Sequence, residues 1–164
     1  MQTPVTFRSA TPGDIPQILA FIKLLADYEK LSDQVTATEA LLREWFFEKK
    51  KAEVIFAEAG QETVGFALFF HNFSTFLGRA GLYLEDLYIK EAHRGKGYGK
   101  AILQELARLA VARGCGRLEW QCLDWNKPSI DFYLSLNACP MRDWTVYRLT
   151  GDALLNMAKA PSAL

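Results

Sequence analysis

A glycine-rich segment is the feature of this sequence best suited to binding a ligand. Residues 94–100 read Arg-Gly-Lys-Gly-Tyr-Gly-Lys, between a predicted strand and a predicted helix. Glycines let a backbone approach a ligand closely and adopt positive φ angles. The first-turn N–H groups of a helix have no partners within it, and with the helix dipole they form an anion site. Because Lys96 and Lys100 add positive charge, the segment predicts binding of a phosphate or pyrophosphate group.

Several kinds of loop share this physics. A Walker A loop would need G-x-x-x-x-G-K-[ST], and its lysine–serine pair is absent here. A dinucleotide fingerprint would need G-x-G-x-x-G, whereas these glycines are spaced G-x-G-x-G, although Glu119 lies about 20 residues further on, as that pattern asks. Taken alone, the loop is equally compatible with an ordinary tight turn whose glycines serve only chain reversal.

A charged pair, Glu85-Asp86, lies inside an otherwise apolar predicted strand. Because alternate residues of a strand share a face, we expect Glu85 on the face of Leu87 and Ile89. Tyr83 belongs to the same predicted face, and Asp86 is expected on the opposite one in a structural role. Burial on an apolar face raises the pKa of a carboxyl group toward the range of a general base. The alternative for Glu85 is an ion pair with a nearby Arg or Lys, or a place at the sheet edge.

Five segments of the chain together resemble a known family. They read Ala-Asp-Tyr-Glu at 26–29, Val-Gly-Phe-Ala at 64–67, Leu-Tyr-Leu-Glu-Asp-Leu-Tyr at 82–88, Arg-Gly-Lys-Gly-Tyr-Gly at 94–99 and Trp-Asn-Lys-Pro-Ser-Ile-Asp-Phe-Tyr at 125–133. In this order they resemble the GNAT superfamily of acetyl-CoA-dependent N-acetyltransferases, whose loop reads [RQ]-x-x-G-x-[GA]. The resemblance covers nearly the whole chain and is strongest to the spermidine/spermine and thialysine acetyltransferase branch.

The resemblance implies a reaction and the residues that carry it. Acetyl-CoA would be the co-substrate, attacked directly by a primary amine of a small molecule. Glu85 would be the base and Tyr133 the acid that protonates the departing thiolate; the alternative for Tyr133 is a tyrosine packed in the core. The residues implied to hold acetyl-CoA are Leu87, Tyr88 and Ile89 along the pantetheine arm, Arg94, Gly95, Lys96, Gly97, Tyr98, Gly99 and Lys100 at the pyrophosphate, and Asn126 and Ser129 near the arm.

The resemblance also implies an acceptor site and a homodimer. Its acceptor residues are Tyr28, Glu29, Glu85, Glu119, Trp120 and Gln121. Residues 72–76, Asn-Phe-Ser-Thr-Phe, lack the Asp that polyamine-acetylating members carry, which favours a lysine-like or thialysine-like amine over spermidine. Polyamine acetylation, acetylation of a protein amine and a non-catalytic acyl-CoA-binding module are the alternatives. For Asn126 and Ser129 the alternative is a helix cap.

Composition excludes other classes of function. The chain has 164 residues, with 19 Lys and Arg against 19 Asp and Glu and no formal net charge. A nucleic-acid-binding protein normally carries net positive charge, so we expect no nucleic-acid partner. No apolar run approaches the ~20 residues that cross a bilayer, and no signal peptide is visible, so we expect no membrane partner. The length suits one core and a single domain, 1–164.

The cysteines and histidines predict a cytoplasmic protein without a metal. Cys115, Cys122 and Cys139 are an odd, scattered set, as expected for reduced thiols. There is no CxxC pair, and His71 and His93 are the only histidines, so no metal site is expected.

Hydrophobic periodicity predicts the elements that position these residues. The predicted strands are 5–9, 53–59, 63–70, 79–89, 118–123 and 144–149. The predicted helices are 14–30 with Asp14 as N-cap, 36–50 with a Thr36–Glu39 capping box, one from the glycine-rich loop to Gly114, a short one starting at 126–129, and 152–159. Hairpins followed by a β-α-β crossover predict an α/β (α+β) fold with a mixed, mostly antiparallel sheet flanked by helices.

Overall fold

The computed structural model describes residues 4–159 of the chain. Within this range the strands are β1 (Val5–Ser9), β2 (Glu53–Ala59), β3 (Glu62–Ser74), β4 (Arg79–Ile89) and β5 (Leu118–Trp120). The α-helices are α1 (Ile15–Tyr28), α2 (Glu39–Leu42), α3 (Tyr98–Ala112), α4 (Lys127–Ser135) and α5 (Gly151–Lys159). The chain divides into two compact units, the first ending at Gln121 and the second beginning at Cys122.

One mixed sheet forms the centre of the first unit. Its strand order is β1-β2-β3-β4-β5, in which the first three pairings are antiparallel and the last is parallel. The parallel pair is joined through α3, as a crossover connection requires. The predicted mostly antiparallel sheet with flanking helices is therefore confirmed.

Helices pack against both faces of this sheet. On one face, α1 contributes Ile18 and Phe21 to a buried cluster, where the ring of Phe21 stacks on Phe66 of β3 at 5.0 Å between centroids. On the other face, α3 contacts β3 and β4, and the guanidinium of Arg113 lies 5.8 Å from the ring of Phe69. The apolar periodicities of α1 and α3 are what fix these two helices to the sheet.

The start of α1 differs from the prediction in its hydrogen bonds. Asp14 occupies the N-cap position, but its side chain does not cap the helix. Its carboxylate accepts hydrogen bonds from Arg8 and from Thr11, at 2.7 to 3.0 Å. The bond from Arg8 is the main reason that the pKa of Asp14 lies well below its usual range. Asp14 thus ties α1 to β1.

The second helix begins later and changes its pitch. Thr38, not Thr36, is the N-cap of α2, and its hydroxyl accepts a hydrogen bond from the N–H of Leu41 at 3.2 Å. After Leu42 the chain continues as a π-helical turn, Arg43–Glu48. The predicted Thr36–Glu39 capping box was wrong because a second threonine, two residues on, competes for the same position.

The C-terminal elements depart most from the sequence pattern. The predicted strand 118–123 ends at Trp120. Residues 144–149, predicted as a strand from their Trp, Val and Tyr content, form no strand, and Tyr147 is 91% exposed. A strand exists only with a hydrogen-bonded neighbour, and composition alone does not supply one. No helix between residues 4 and 159 has the length and apolar character of a bilayer-spanning segment.

Candidate active site

The glycine-rich loop has the backbone geometry that its sequence predicts. Gly95 and Gly97 have φ angles of 73° and 76°, in the left-handed region that favours glycine. Gly97 is the N-cap of α3, and the carbonyl of Gly97 accepts a hydrogen bond from the N–H of Ala101 at 3.0 Å. The N–H groups of residues 98–100 precede this bond and so have no partner within the helix. Such N–H groups, at the start of a 15-residue helix, are suited to binding an anion.

Two of the basic side chains around this loop are free to meet an anion. Lys96 and Lys100 are exposed and have no ion pair within residues 4–159. Lys90 and His93 instead contact the carboxylate of Glu62, with N to O distances of 3.3 and 3.2 Å. The positive charge available at the loop therefore comes mainly from Lys96 and Lys100, the two lysines predicted from the sequence to favour phosphate binding.

An open strand edge leads into the loop. The ladder between β4 and β5 covers only Leu82–Leu84 of β4, so no strand among residues 4–159 pairs with residues 85–89 on that side. Their other side is paired with β3, where Leu87 faces Ala67 and Ile89 faces Gly65. An extended ligand arm could add to such an edge through backbone hydrogen bonds.

A β-bulge in β4 interrupts the expected alternation of side chains between Tyr83 and Asp86. Asp86 pairs with Leu68 and Leu84 pairs with Phe69, so Glu85 is an extra residue without a partner in β3. The strict alternation assumed for the strand was therefore wrong. Asp86 lies on the face of Tyr83 and Tyr88, whereas Leu87 and Ile89 lie on the opposite one.

The two acidic residues at the bulge differ in exposure. Asp86 is half-buried, whereas Glu85 is exposed. Burial, together with the smaller effects of the nearby charges of Glu85 and Glu29, raises the pKa of Asp86 to about 7. Burial also raises the pKa of Glu29. None of these three carboxylates has an ion-pair partner within residues 4–159. The group therefore has an unbalanced negative field that favours a cation. From the sequence, Asp86 was expected only in a structural role. Its place beside Glu85 inside an apolar strand was the signal that could have marked it as a candidate site residue.

The raised pKa of Asp86 predicts a pH-dependent stability. The folded state holds the Asp86 proton more tightly than the unfolded chain, whose Asp has a pKa of about 3.9. The free energy of unfolding should therefore fall as the pH rises from about 4 to about 7. Asn cannot ionise, so Asp86→Asn removes this fall. The free energy of unfolding of the variant, measured by urea denaturation, should therefore increase relative to that of the unchanged protein between pH 5 and pH 8. The exposed Asp33→Asn is the control, and equal pH dependence in the Asp86→Asn variant and the unchanged protein would contradict the prediction.

The end of α1 meets the glycine-rich loop. Tyr28 is the last residue of α1 and Glu29 is its C-cap. The Cζ atom of Arg94 lies 4.6 Å from the ring centroid of Tyr28 and 5.2 Å from that of Tyr88. The structure therefore brings Tyr28, predicted for the acceptor side, close to the first residue of the loop, while the charge of the neighbouring Glu29 acts on Asp86.

The residues predicted on β5 have separate surroundings. Glu119 accepts a hydrogen bond from the amide Nδ2 of Asn72 at 2.7 Å and forms an ion pair with Arg117, Nε to Oε2 2.7 Å. Its charge is thus balanced, which the sequence pattern did not reveal. Trp120 pairs with Leu84 and faces the opposite side of the sheet. Gln121 follows the strand and is exposed.

Residues of the second unit have clear local roles. Asn126 is buried at the N-cap of α4, where its side-chain oxygen accepts a hydrogen bond from the N–H of Ser129 at 3.3 Å. Pro128 lies in the first turn, so the helix-cap interpretation is confirmed. Tyr133 is half-buried on α4, with its ring centroid 5.4 Å from that of Phe132. Residues 4–159 contain no group of three or more His, Cys, Asp or Glu side chains placed to hold a metal ion.

The sheet, its open edge and the glycine-rich loop at the start of α3 define an acetyltransferase fold. The chain belongs to the Acetyltransferase (GNAT) family, whose model matches residues 18–137. It is an N-acetyltransferase.

Its relatives share most of its length. Thialysine N-epsilon-acetyltransferase from Bos taurus is 38% identical, over 94% of this chain and 97% of the relative. L-ornithine N5-acetyltransferase NATA1 from Arabidopsis thaliana is 32% identical, over 90% of this chain and 85% of the relative. An integron cassette protein from V. cholerae has a similar structure, with a TM-score of 0.79 and 28% identity, over 95% of this chain and 98% of that one.

Proposed function

We propose that this protein transfers the acetyl group of acetyl-CoA to a primary amine of a small, amino-acid-like molecule. The observation that carries the proposal is the continuity of the open edge of β4, at residues 85–89, with the anion site of the glycine-rich loop. Acetyl-CoA combines an extended amide-containing arm with a diphosphate. The arm suits the open edge of β4, and the diphosphate suits the glycine-rich loop that follows it.

The cofactor would lie along this path. Its pantetheine arm pairs with the backbone of Leu87, Tyr88 and Ile89, and its diphosphate accepts hydrogen bonds from the N–H groups at residues 98–100. Lys96 and Lys100 balance the phosphate charge. We also propose that Asn126 and Ser129 lie near the arm, in addition to their role in the helix cap.

Loss of the left-handed geometry at Gly97 should weaken acetyl-CoA binding. Gly97 has a φ of 76°, so Gly97→Ala costs roughly 1–2 kcal/mol of strain or forces the turn to change. The matched control is Gly60→Ala in the β2–β3 turn, where φ is 67°. Both changes should lower the unfolding temperature, and only Gly97→Ala should raise the Kd for acetyl-CoA in calorimetry. Equal affinities of the two variants would contradict this use of the loop.

The chemical step needs a base and an acid. An alkylammonium with a pKa of about 10.4 is nearly all protonated at pH 7, and its deprotonation costs roughly 4–5 kcal/mol. Glu85 accepts that proton, directly or through water, while the free amine attacks the thioester carbonyl. The C–N bond forms, the C–S bond breaks, and Tyr133 gives its proton to the departing thiolate. The second proton lost by the attacking nitrogen passes through water and restores the Tyr133 hydroxyl. An N–H of residues 87–89 polarises the thioester carbonyl.

We favour an amino acid with a side-chain amine as the acceptor substrate. The names of the bovine and Arabidopsis relatives give thialysine and ornithine, both of this kind. We place the ammonium in the negative field of Glu29, Glu85 and Asp86. Tyr28, Glu119, Trp120 and Gln121 would shape the rest of the acceptor site.

A polyamine is the second candidate. A human relative named spermidine/spermine N(1)-acetyltransferase-like protein 1 is 34% identical over 92% of this chain and 23% of the relative. The specific observation in its favour is the lack of a balancing cation for Glu29 and Asp86 within residues 4–159, because a second ammonium could supply one.

A panel of amines tests the acceptor. Thiol release from acetyl-CoA is measured with L-thialysine, L-lysine, L-ornithine and spermidine at equal concentrations. We expect the highest kcat/KM with an amino acid; activity on spermidine alone would overturn that preference. Tight acetyl-CoA binding without turnover on any amine or peptide amine would indicate a non-catalytic module instead.

Assembly and location are further proposals. Members of the resembled branch form homodimers, so we propose a homodimer, and the reduced cysteines favour the cytoplasm. Light scattering coupled to gel filtration should give a mass near twice 18.5 kDa. A monomer mass at micromolar concentration would contradict the dimer.

A further inference from the structure

The side chain of Arg94 makes contacts that reach beyond the loop it begins. Its guanidinium lies over two aromatic rings, with Cζ 4.6 Å from the ring centroid of Tyr28 and 5.2 Å from that of Tyr88. Its Nε donates a hydrogen bond to the carbonyl of Ile89 at 3.1 Å. One side chain thus joins the end of α1, the end of β4 and the glycine-rich loop.

From these contacts, and resting on the proposed function, we propose that Arg94 is a positioning residue. Its side chain clamps the loop against Tyr28 and Tyr88, so that the affinity for acetyl-CoA depends on Tyr28, a residue of the acceptor side. The diphosphate is bound by the loop backbone and the lysines, and Arg94 acts through that backbone.

The geometry suits a clamp for a chemical reason. A guanidinium is planar and can stack on aromatic faces while its edge donates hydrogen bonds. The ring of Tyr88 belongs to the buried cluster and lies 6.3 Å from the ring of Phe21, which makes it a fixed support. The loop next to it contains two glycines with positive φ and has few side chains of its own to hold it. Contacts from Arg94 therefore restrict the part of the loop nearest the sheet.

The Ile89 hydrogen bond extends the clamp to the strand edge. Ile89 is the last residue of β4 and is proposed to meet the pantetheine arm. Holding its carbonyl fixes the direction in which β4 leaves the sheet and enters the turn Glu91–His93. The arm site and the diphosphate site are then held at a constant spacing, which lowers the ordering cost of binding one ligand at both.

Calorimetric binding of acetyl-CoA without any amine tests the proposal. Tyr28→Leu removes the aromatic face and should raise the Kd about fivefold, whereas Tyr28→Phe keeps the face and should stay within about twofold. Arg94→Gln should raise the Kd at least as much, and Arg94→Lys should recover only part of the loss, since an ammonium does not stack as a plane. The double variant Tyr28→Leu/Arg94→Gln should bind no more weakly than Arg94→Gln alone.

Controls separate the clamp from other effects. Lys23→Gln removes one positive charge from an exposed position of α1 and should leave the Kd unchanged. Thermal unfolding of each variant without ligand identifies any general loss of folding, and the Tyr28→Phe and Arg94→Lys variants keep the test decisive if Tyr28→Leu unfolds.

Two results would overturn the inference in different ways. An unchanged Kd in folded Tyr28→Leu, with a large additive loss in Arg94→Gln, would make Arg94 a direct phosphate ligand and leave the proposed function standing. Absence of acetyl-CoA binding by the unchanged protein would overturn the proposed function and this inference together.

Discussion

Glu85→Gln should lower kcat/KM for the amine by about 100-fold at pH 7, a typical contribution of a general base. Glutamine keeps the size of the side chain but cannot accept the proton of the ammonium. Glu85 is exposed and is the extra residue of a β-bulge, so its change should leave the fold and the Kd for acetyl-CoA intact. Steady-state kinetics with thiol detection measures the loss.

The pH profile distinguishes a missing base from a misplaced substrate. Below the amine pKa of about 10.4, each pH unit supplies about ten times more free amine. The kcat/KM of Glu85→Gln should therefore continue to rise from pH 7 to pH 9, while the unchanged enzyme levels off. Glu48→Gln, another exposed glutamate, is the control for loss of a surface charge. A full loss in Asp86→Asn with normal activity in Glu85→Gln would move the base to Asp86.

Tyr133→Phe should lower kcat by about 100-fold while leaving the Kd for acetyl-CoA unchanged. The change removes one hydroxyl group and keeps the ring that contacts Phe132 in α4. Without that proton donor, coenzyme A must leave as a thiolate, which is a poorer leaving group than the protonated thiol. Turnover measurements and calorimetry on the same preparation give the two values.

The control for this variant is Tyr147→Phe. Tyr147 belongs to the same unit and is 91% exposed, so losing its hydroxyl should change neither kcat nor the Kd. Equal turnover in Tyr133→Phe and the unchanged enzyme would remove Tyr133 from the mechanism. A loss confined to binding would assign it to the cofactor site instead.

The local features of the site could be predicted from sequence because each depends on a few adjacent residues. The left-handed turns at Gly95 and Gly97 follow from the glycines themselves, and the start of α3 follows from the apolar periodicity beyond them. The cap at Asn126 likewise needs only Asn126, Pro128 and Ser129.

Features that depend on pairing between distant segments could not be predicted in this way. The bulge at Glu85 is defined by its register against Leu68 and Phe69, and it places Tyr83 on the face of Asp86 instead of the expected face of Leu87 and Ile89. Single-sequence alternation assumes a regular ladder and cannot show an inserted residue. The contact of the Arg94 guanidinium with the ring of Tyr28 joins positions 66 residues apart, and no local sequence pattern indicates it.

A crystal structure of the protein with coenzyme A tests the central claim most directly. We predict the diphosphate within hydrogen-bond distance of the N–H groups at residues 98–100, and the pantetheine arm paired with the edge of β4 at 87–89. The thiol end should then point toward Glu85. Coenzyme A bound elsewhere, with this edge and the start of α3 empty, would contradict the account.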